Sequence, residues 1–280
     1  MNLSNEIKNF IKDHSRESLP NECGGLILKD EAGNLTACRC QNASETPEKS
    51  CVLRRDEVEE KSNGYIVEAM YHSHVSDFKD FSWEDKYTSE ESKLKLILFC
   101  SQQNVFNTYE PNGFIAPFTG RRWSQGVFSC ITIIEDYYQK TFGIEIKGYD
   151  QLELCGRKLK YFNFSEAYLR SNVDEEVQRM MVEVVSRADE ERPWQSLLIK
   201  NDFVKVKDLR KHDIVLTKSF YENFNKKFQI TYPIHAAIYL GDGKILHHPF
   251  GRESAVEAFG EKEKLAITHI FRHKELQNEN

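Results

Sequence analysis

The chain has 280 residues, of which 40% are hydrophobic and 29% charged, a balance that excludes fibres and long disorder and leaves room for two domains of about 150 residues. Its net charge of -6 is spread over both halves without a basic stripe, which argues against a nucleic-acid partner. The N-terminal segment MNLSNEIKNFIKDHS lacks an apolar signal core, and no uncharged apolar run reaches the ~18 residues of a membrane span, so the expectation is a cytoplasmic chain with no membrane insertion.

The seven cysteines form no CxxC pair, and their odd number reads as reduced thiols. Cys38 and Cys40 make a lone C-x-C without the second pair that a structural zinc site needs.

In chain order, Leu3, Ile7, Phe10 and Ile11 fall at helical spacing, and the Pro20-Asn21 step leads into a short apolar strand from Cys23 to Leu28. A second strand is expected from about Gly64 to His74, then a helix from about Ser82 through Glu91, then a buried strand in LKLILFC, residues 94–100. The polar stretch NVFNTYEPNG lacks periodicity and marks the boundary, giving a first domain over 1–106, a linker over 107–118 and a second domain over 119–280.

Beyond it, a helix starts near Ser129, carries Ile131, Ile134, Tyr138 and Phe142 on one side and stops at Gly143. Val173, Val177, Met180, Val184 and Val185 then form one stripe of an amphipathic helix over 165–190, inside a helical insertion near 150–205. The strands DIVLT, HAAIYL, KILHH and AITHIF follow, with Gly241-Asp242-Gly243 as a hairpin signal.

The segment YHSHVSDFKDFSWED puts His72 and His74 two residues apart, so a strand points both imidazoles to one face. Asp85, in the first turn of the next helix, adds an oxygen donor, and two His with one carboxylate make a catalytic zinc set with a position left for water. The remaining need is a base to take a proton from that water, for which Glu22 in PNECGGLIL is the candidate. Ser82 would donate to the oxyanion forming on the scissile carbonyl. Ser82-Trp83-Glu84-Asp85 is also a helix capping box, and the two roles are compatible.

A Glu followed by H-x-H-x7-S-x2-D resembles the JAMM (JAB1/MPN) metallopeptidases at all five positions, a spacing that arises by chance on the order of once per thousand such chains. In the second half, Cys130 falls at a helix N-terminus, where the unpaired N–H groups favour a thiolate, and His235 opens a strand as a base for it.

These segments resemble NlpC/P60 cysteine peptidases: a helix-borne Cys, then H-A-A-I-Y-L-G-D-G, then a polar residue on the next strand. The family's spacing of twelve after the His selects His247 as the third residue. A two-residue turn at Asp242-Gly243 would instead pair position 237 with 248 and favour His248, whereas a three-residue loop favours His247. One departure is Ser129 where the family usually has Asp, although Ser still caps the helix.

A JAMM-like half followed by an NlpC/P60-like half, with YEPNG between them, resembles phage tail tip assembly proteins of the lambda tail protein K kind. The resemblance implies an α+β chain: a JAMM/MPN-like α/β/α sandwich, then a papain-like NlpC/P60 domain. It also implies Zn2+ as cofactor and two activities, processing of a ubiquitin-like tail protein and cleavage of peptidoglycan peptides. The partners would be other tail tip proteins, and the location the host cytoplasm during assembly and the virion tail tip.

Overall fold

The computed structural model describes residues 3–44, 46–124, 127–147, 193–218, 235–249 and 251–277, and these form two units that divide between Phe114 and Ile115. In the first unit, Ser4 caps helix α1 (Asn5–Ser18) by accepting the Ile7 N–H, and the helical spacing then buries Ile7 and Ile11. Strand β1 (Gly24–Lys29) pairs antiparallel with both β2 (Leu35–Cys40) and β3 (Ile66–His74). Strand β4 (Lys95–Cys100) runs parallel to β3 and antiparallel to β5 (Val105–Tyr109), giving the order β2-β1-β3-β4-β5.

Alternation along the strands divides this sheet into two apolar faces. Cys23, Ile27, Ala69, Tyr71, Ile97 and Phe99 pack on Ile7 and Ile11 of α1. Leu26 and Leu28, with Met70, pack on Leu53 and on Val58 of helix α2 (Arg55–Lys61). Helix α3 (Trp83–Ser92) supplies the crossover that the parallel β3–β4 pair requires.

Strand β1 lies between β2 and β3, and its two leading glycines are there for close approach. A Cβ on Gly25 would lie 2.1 Å from the Cys38 carbonyl oxygen on β2, and one on Gly24 would lie 2.3 Å from Cys51 Sγ.

Residues 107–109, read from the sequence as the start of a linker, are the second half of β5. Edge position explains the missed strand: no residue of β5 is fully buried, so no apolar run marks it. After β5, the buried Glu90 of α3 accepts from Tyr109 Oη (2.7 Å) and from the backbone N–H groups of Asn112 (2.7 Å), Gly113 (3.1 Å) and Phe114 (3.1 Å). The YEPNG segment is thus tied to the first unit.

The second unit is β-rich. Its sheet has the order β10-β9-β8-β7-β11-β6, antiparallel throughout. The strands are β6 (Phe203–Val206), β7 (Ile214–Thr217), β8 (His235–Gly241), β9 (Lys244–His247), β10 (Ala255–Ala258) and β11 (Ile267–His273). Helix α4 (Cys130–Phe142) is capped by Ser129, whose Oγ accepts the Ile131 N–H and whose own N–H donates to Thr132 Oγ1. It ends at Gly143 with φ 70°, a conformation open to glycine at little cost.

Ile131, Ile133, Ile134 and Tyr138 of α4 pack with Leu197 and Leu198 of α5 (Pro193–Lys200) and with Ala236, Ile238 and Leu246 of the sheet. Val215, Ala237, Ile245 and Phe259 build a separate cluster. Arg121, fully buried, donates to Asp136 Oδ2 (2.5 Å), Ala116 O (2.6 Å) and Pro117 O (2.7 Å), tying the segment before α4 to the helix.

The amphipathic pattern over 165–190 and Cys155 lie outside the described residues. Residues 203–205, at the end of the stretch that the sequence places in a helical insertion, belong to strand β6. Cys23, Cys38, Cys40, Cys51 and Cys100 are free thiols.

Gly25→Ala should destabilise the first unit by about 1–3 kcal/mol, because the clash is with backbone that cannot move aside. Denaturant unfolding of the full chain followed by two probes, one in each unit, measures it. A pH effect is expected at Glu90. Burial alone would raise its carboxyl, but the Asn112, Phe114 and Gly113 N–H groups and the Tyr109 hydroxyl hold it below its ordinary value. That stabilisation is complete above the unfolded pKa of about 4.3 and is lost as pH falls through the depressed folded value. In urea titrations at a series of pH values, Glu90→Gln should therefore flatten the acid limb of the stability curve.

Candidate functional site

The period of two along β3 sends Ala69, Tyr71 and Ser73 to the α1 face and Met70, His72 and His74 to the other. Both histidines are buried, and their Nε2 atoms lie 3.2 Å apart. Asp85, the third residue of α3, brings Oδ1 to 3.3 Å from His72 Nε2 and Oδ2 to 3.6 Å from His74 Nε2. The capping box fixes that carboxylate: Ser82 N–H donates to Asp85 Oδ2 (2.8 Å) while Ser82 Oγ accepts the Asp85 N–H (3.0 Å). Capping uses one lone pair of the Ser82 hydroxyl and leaves its O–H as a donor.

The donor set fits a divalent cation. His74 Nδ1 lies 2.9 Å from the Phe78 carbonyl oxygen, which can only accept, so the proton of neutral His74 sits on Nδ1 and its Nε2 presents a lone pair. That lone pair faces a carboxylate oxygen and a second imidazole nitrogen, three ligand atoms around one centre. Tetrahedral zinc ligands with bonds near 2.0–2.1 Å lie about 3.3–3.4 Å apart, close to the 3.2, 3.3 and 3.6 Å found here. Burial alone would raise the Asp85 carboxyl, yet His72, His74 and the Ser82 N–H hold it well below its usual range. His74 is lifted above its ordinary value by Asp85 and Phe78 against the effect of burial.

Glu22 is buried just before β1 and, by strand alternation, shares the face of Leu26 and Leu28 with the histidines. Its main chain is held on several sides. Cys23 N–H donates to Ser73 Oγ (2.9 Å) and Cys23 O accepts from Ser73 N–H (2.9 Å), locking the start of β1 to the end of β3. Glu22 N–H donates to Pro47 O (2.7 Å), and Glu22 O accepts from Asn42 Nδ2 (2.9 Å). Asn42 also donates to Ser50 O and accepts from the Ser44 and Val52 N–H groups, so it ties these three residues to Glu22. Burial pushes the Glu22 carboxyl up, against the pull of His72 and His74.

Sequence reading missed three supports of this site. Asn42 and Ser73 hold Glu22, and the Phe78 carbonyl orients His74. The loop carrying Phe78 is pinned by Gln102 on Val75 O, Gln103 on Asp77 O and Asn107 on Lys79 O. A backbone carbonyl gives no sequence signal. Asn107 lay inside the supposed linker.

In the second unit, Cys130 is buried as the first residue of α4, and His235 is buried at the first position of β8. The β8–β9 turn is the two-residue Asp242-Gly243 type, with φ 50° and 65° at its centre, yet Ala237 faces His247 and not His248. A bulge between Tyr239 and Gly241 adds one residue to β8 and cancels the shift expected of that turn. His247 therefore joins His235, with His235 Nε2 3.1 Å from His247 Nδ1. His247 Nε2 in turn lies 3.1 Å from Glu257 Oε2, and Arg252 pairs with the other carboxylate oxygen. His248 is buried elsewhere, shifted down to about 4 by burial and by Arg121.

Two buried histidines at the C-terminal end of β3 and the half-buried Asp85 of α3, on a sheet with helices on both faces, give the first unit a set of side chains that could hold a metal ion. Residues 6–111 match the family Prok-JAB, prokaryotic homologs of the JAB domain, and form a JAB-like domain. Among solved structures, the chain is similar to the solution structure of protein DSY2949 from Desulfitobacterium hafniense, at 21% identity over 38% of this chain and 81% of that chain, with a TM-score of 0.31. No curated protein matches.

The purified chain should hold about one zinc per molecule. His74→Ala should lose it, and Asn107→Ala should weaken it about tenfold by freeing the loop that orients His74. Elemental analysis and competition with a chelator measure both.

Proposed function

We propose that the first unit is a zinc-dependent peptidase of the JAMM type that hydrolyses an isopeptide or peptide bond, processing a ubiquitin-like protein during phage tail tip assembly. The observation that carries this reading is the meeting of His72 Nε2, His74 Nε2 and an Asp85 oxygen within 4.8 Å, inside the residues that match the JAB family. Zinc held by His72, His74 and Asp85 would polarise a water and the scissile carbonyl. Glu22 takes the proton from the attacking water and returns it to the departing amine as the C–N bond breaks. Ser82 directs its O–H at the carbonyl oxygen as negative charge grows there.

A second reading concerns the β-rich unit, and the 3.1 Å contact of His235 with His247 favours it. In this reading the unit is an NlpC/P60-like, papain-like hydrolase. Cys130 attacks a cell-wall peptide carbonyl, His235 takes the thiol proton, and His247 orients His235. Together the two sites make a two-headed peptidase whose partners are tail tip proteins and peptidoglycan peptides. The phage setting rests on the resemblance of the two halves in this order. Among the described residues, no helix is long and apolar enough to cross a membrane.

The test uses the full chain on two substrates. A ubiquitin-like domain with a cleavable C-terminal extension should be trimmed by the zinc-loaded protein, and Glu22→Gln should lower turnover by at least about 100-fold while leaving the zinc content intact. Turnover by Glu22→Gln at the wild-type rate would overturn the metallopeptidase mechanism. Muropeptides should be cut by the wild type and not by Cys130→Ala. Wild-type failure on every muropeptide would leave the second unit as a binding module beside the peptidase.

A further inference from the structure

The contacts of His247 extend beyond the three residues of the Cys-His reading. Strand β10 pairs with β9 so that Ala255 faces His247 and Glu257 faces Ile245. Glu257 is thereby the diagonal neighbour of His247 on the same face of the sheet. Its Oε2 lies 3.1 Å from His247 Nε2, and its Oε1 is held by the Arg252 guanidinium. His247 Nδ1 lies 3.1 Å from His235 Nε2. Four side chains thus stand in one line, with both histidines almost wholly buried and the Arg252 end open to solvent.

An ionised carboxylate only accepts hydrogen bonds, so Glu257 requires the proton of His247 to sit on Nε2. Neutral His247 then has a lone pair on Nδ1, which requires His235 to carry its proton on Nε2. Neutral His235 is left with its lone pair on Nδ1, the atom on the far side of the ring from His247. We propose that Glu257, held by Arg252, is a positioning residue that sets the tautomers of both histidines in sequence and so makes His235 Nδ1 the base of the second unit.

The charge states support the order. Burial alone would raise the Glu257 carboxyl, but Arg252 and His247 hold it below its ordinary value. Burial keeps His247 below its ordinary value despite the carboxylate beside it, so the ring stays neutral near pH 7. The proton transfer balances. The Cys130 thiol proton moves to His235 Nδ1, the S–H electron pair stays on sulfur as the attacking thiolate, and the positive charge on His235 is stabilised by the His247 lone pair and the carboxylate behind it. Without Glu257, His247 could reverse its tautomer and donate from Nδ1, and His235 would then hold its proton on Nδ1 and lose its function as base.

This inference rests on the Cys-His reading, and the experiment separates the two. Long-range 1H–15N spectra of the histidine-labelled full chain report directly which ring nitrogen carries the proton. The nine histidines are resolved by comparison with His235→Ala and His247→Ala. In the wild type both His235 and His247 should be Nε2–H tautomers, and Glu257→Gln should give mixed tautomers at both, because an amide can donate as well as accept. The rate of Cys130 alkylation by iodoacetamide should fall about tenfold in Glu257→Gln and further in His235→Ala. An Nδ1–H tautomer at His247 in the wild type would overturn the proposal without any variant. Unchanged tautomers in a folded Glu257→Gln would overturn it as well. Should alkylation be the same in His235→Ala as in the wild type, the Cys-His reading fails, whatever the tautomers are.

Discussion

Cys23 and Ser73 are joined twice, by the Cys23 N–H to the Ser73 hydroxyl and by the Ser73 N–H to the Cys23 carbonyl, and the first site depends on this junction. It registers the start of β1 against the end of β3, so Glu22 and His74 emerge from neighbouring strands on one face. Ser73 can serve because it stands between two histidines on a strand and faces away from them. The other constraints build outward: the capping box holds Asp85, the Phe78 carbonyl turns His74, and side chains from β5 and the turn before it hold the loop that carries Phe78. Each support acts on a group whose own position leaves little freedom, which is how a short constellation becomes a preorganised one.

The second unit depends on a single extra residue in β8. The Asp242-Gly243 turn alone would send His248 toward His235, and the bulge after Tyr239 restores His247 to that place. A one-residue slip exchanges the faces of a strand, so this bulge decides which of two adjacent histidines is in the line with Glu257.

Elements with a buried face were legible in the sequence. Helices α1, α3 and α4 carry caps or apolar spacing, and β1, β3, β4, β7, β8, β9 and β11 carry buried residues in runs or alternation. Missed were β2, β5, β6 and β10, each short, largely half-exposed and at or near a sheet edge, and α2, which has no buried residue. The same physics divided the sites. His72, His74, Ser82 and Asp85 sit within one strand–loop–helix segment, so their spacing encodes their geometry. Asn42, Asn107 and Glu257 act across distant pairings, and Phe78 acts through a carbonyl that any residue would offer. Glu257 was hidden for two reasons at once, because its strand is an edge and because its partner was fixed by a bulge.

Each unit carries two histidines and a carboxylate, and the arrangements run in opposite senses. In the first, a backbone carbonyl holds the proton of His74 on Nδ1, so its Nε2 lone pair turns toward His72 and the Asp85 carboxylate. Three ligand atoms converge on one centre, at spacings that a single cation would bridge. In the second, the carboxylate is at the end of the line beside Nε2 of His247, and Nδ1 of that ring meets Nε2 of His235. No cation is needed to satisfy that line. The difference lies in what binds the outer nitrogen of each histidine pair. A carbonyl lies against Nδ1 of the first, and a carboxylate lies against Nε2 of the second.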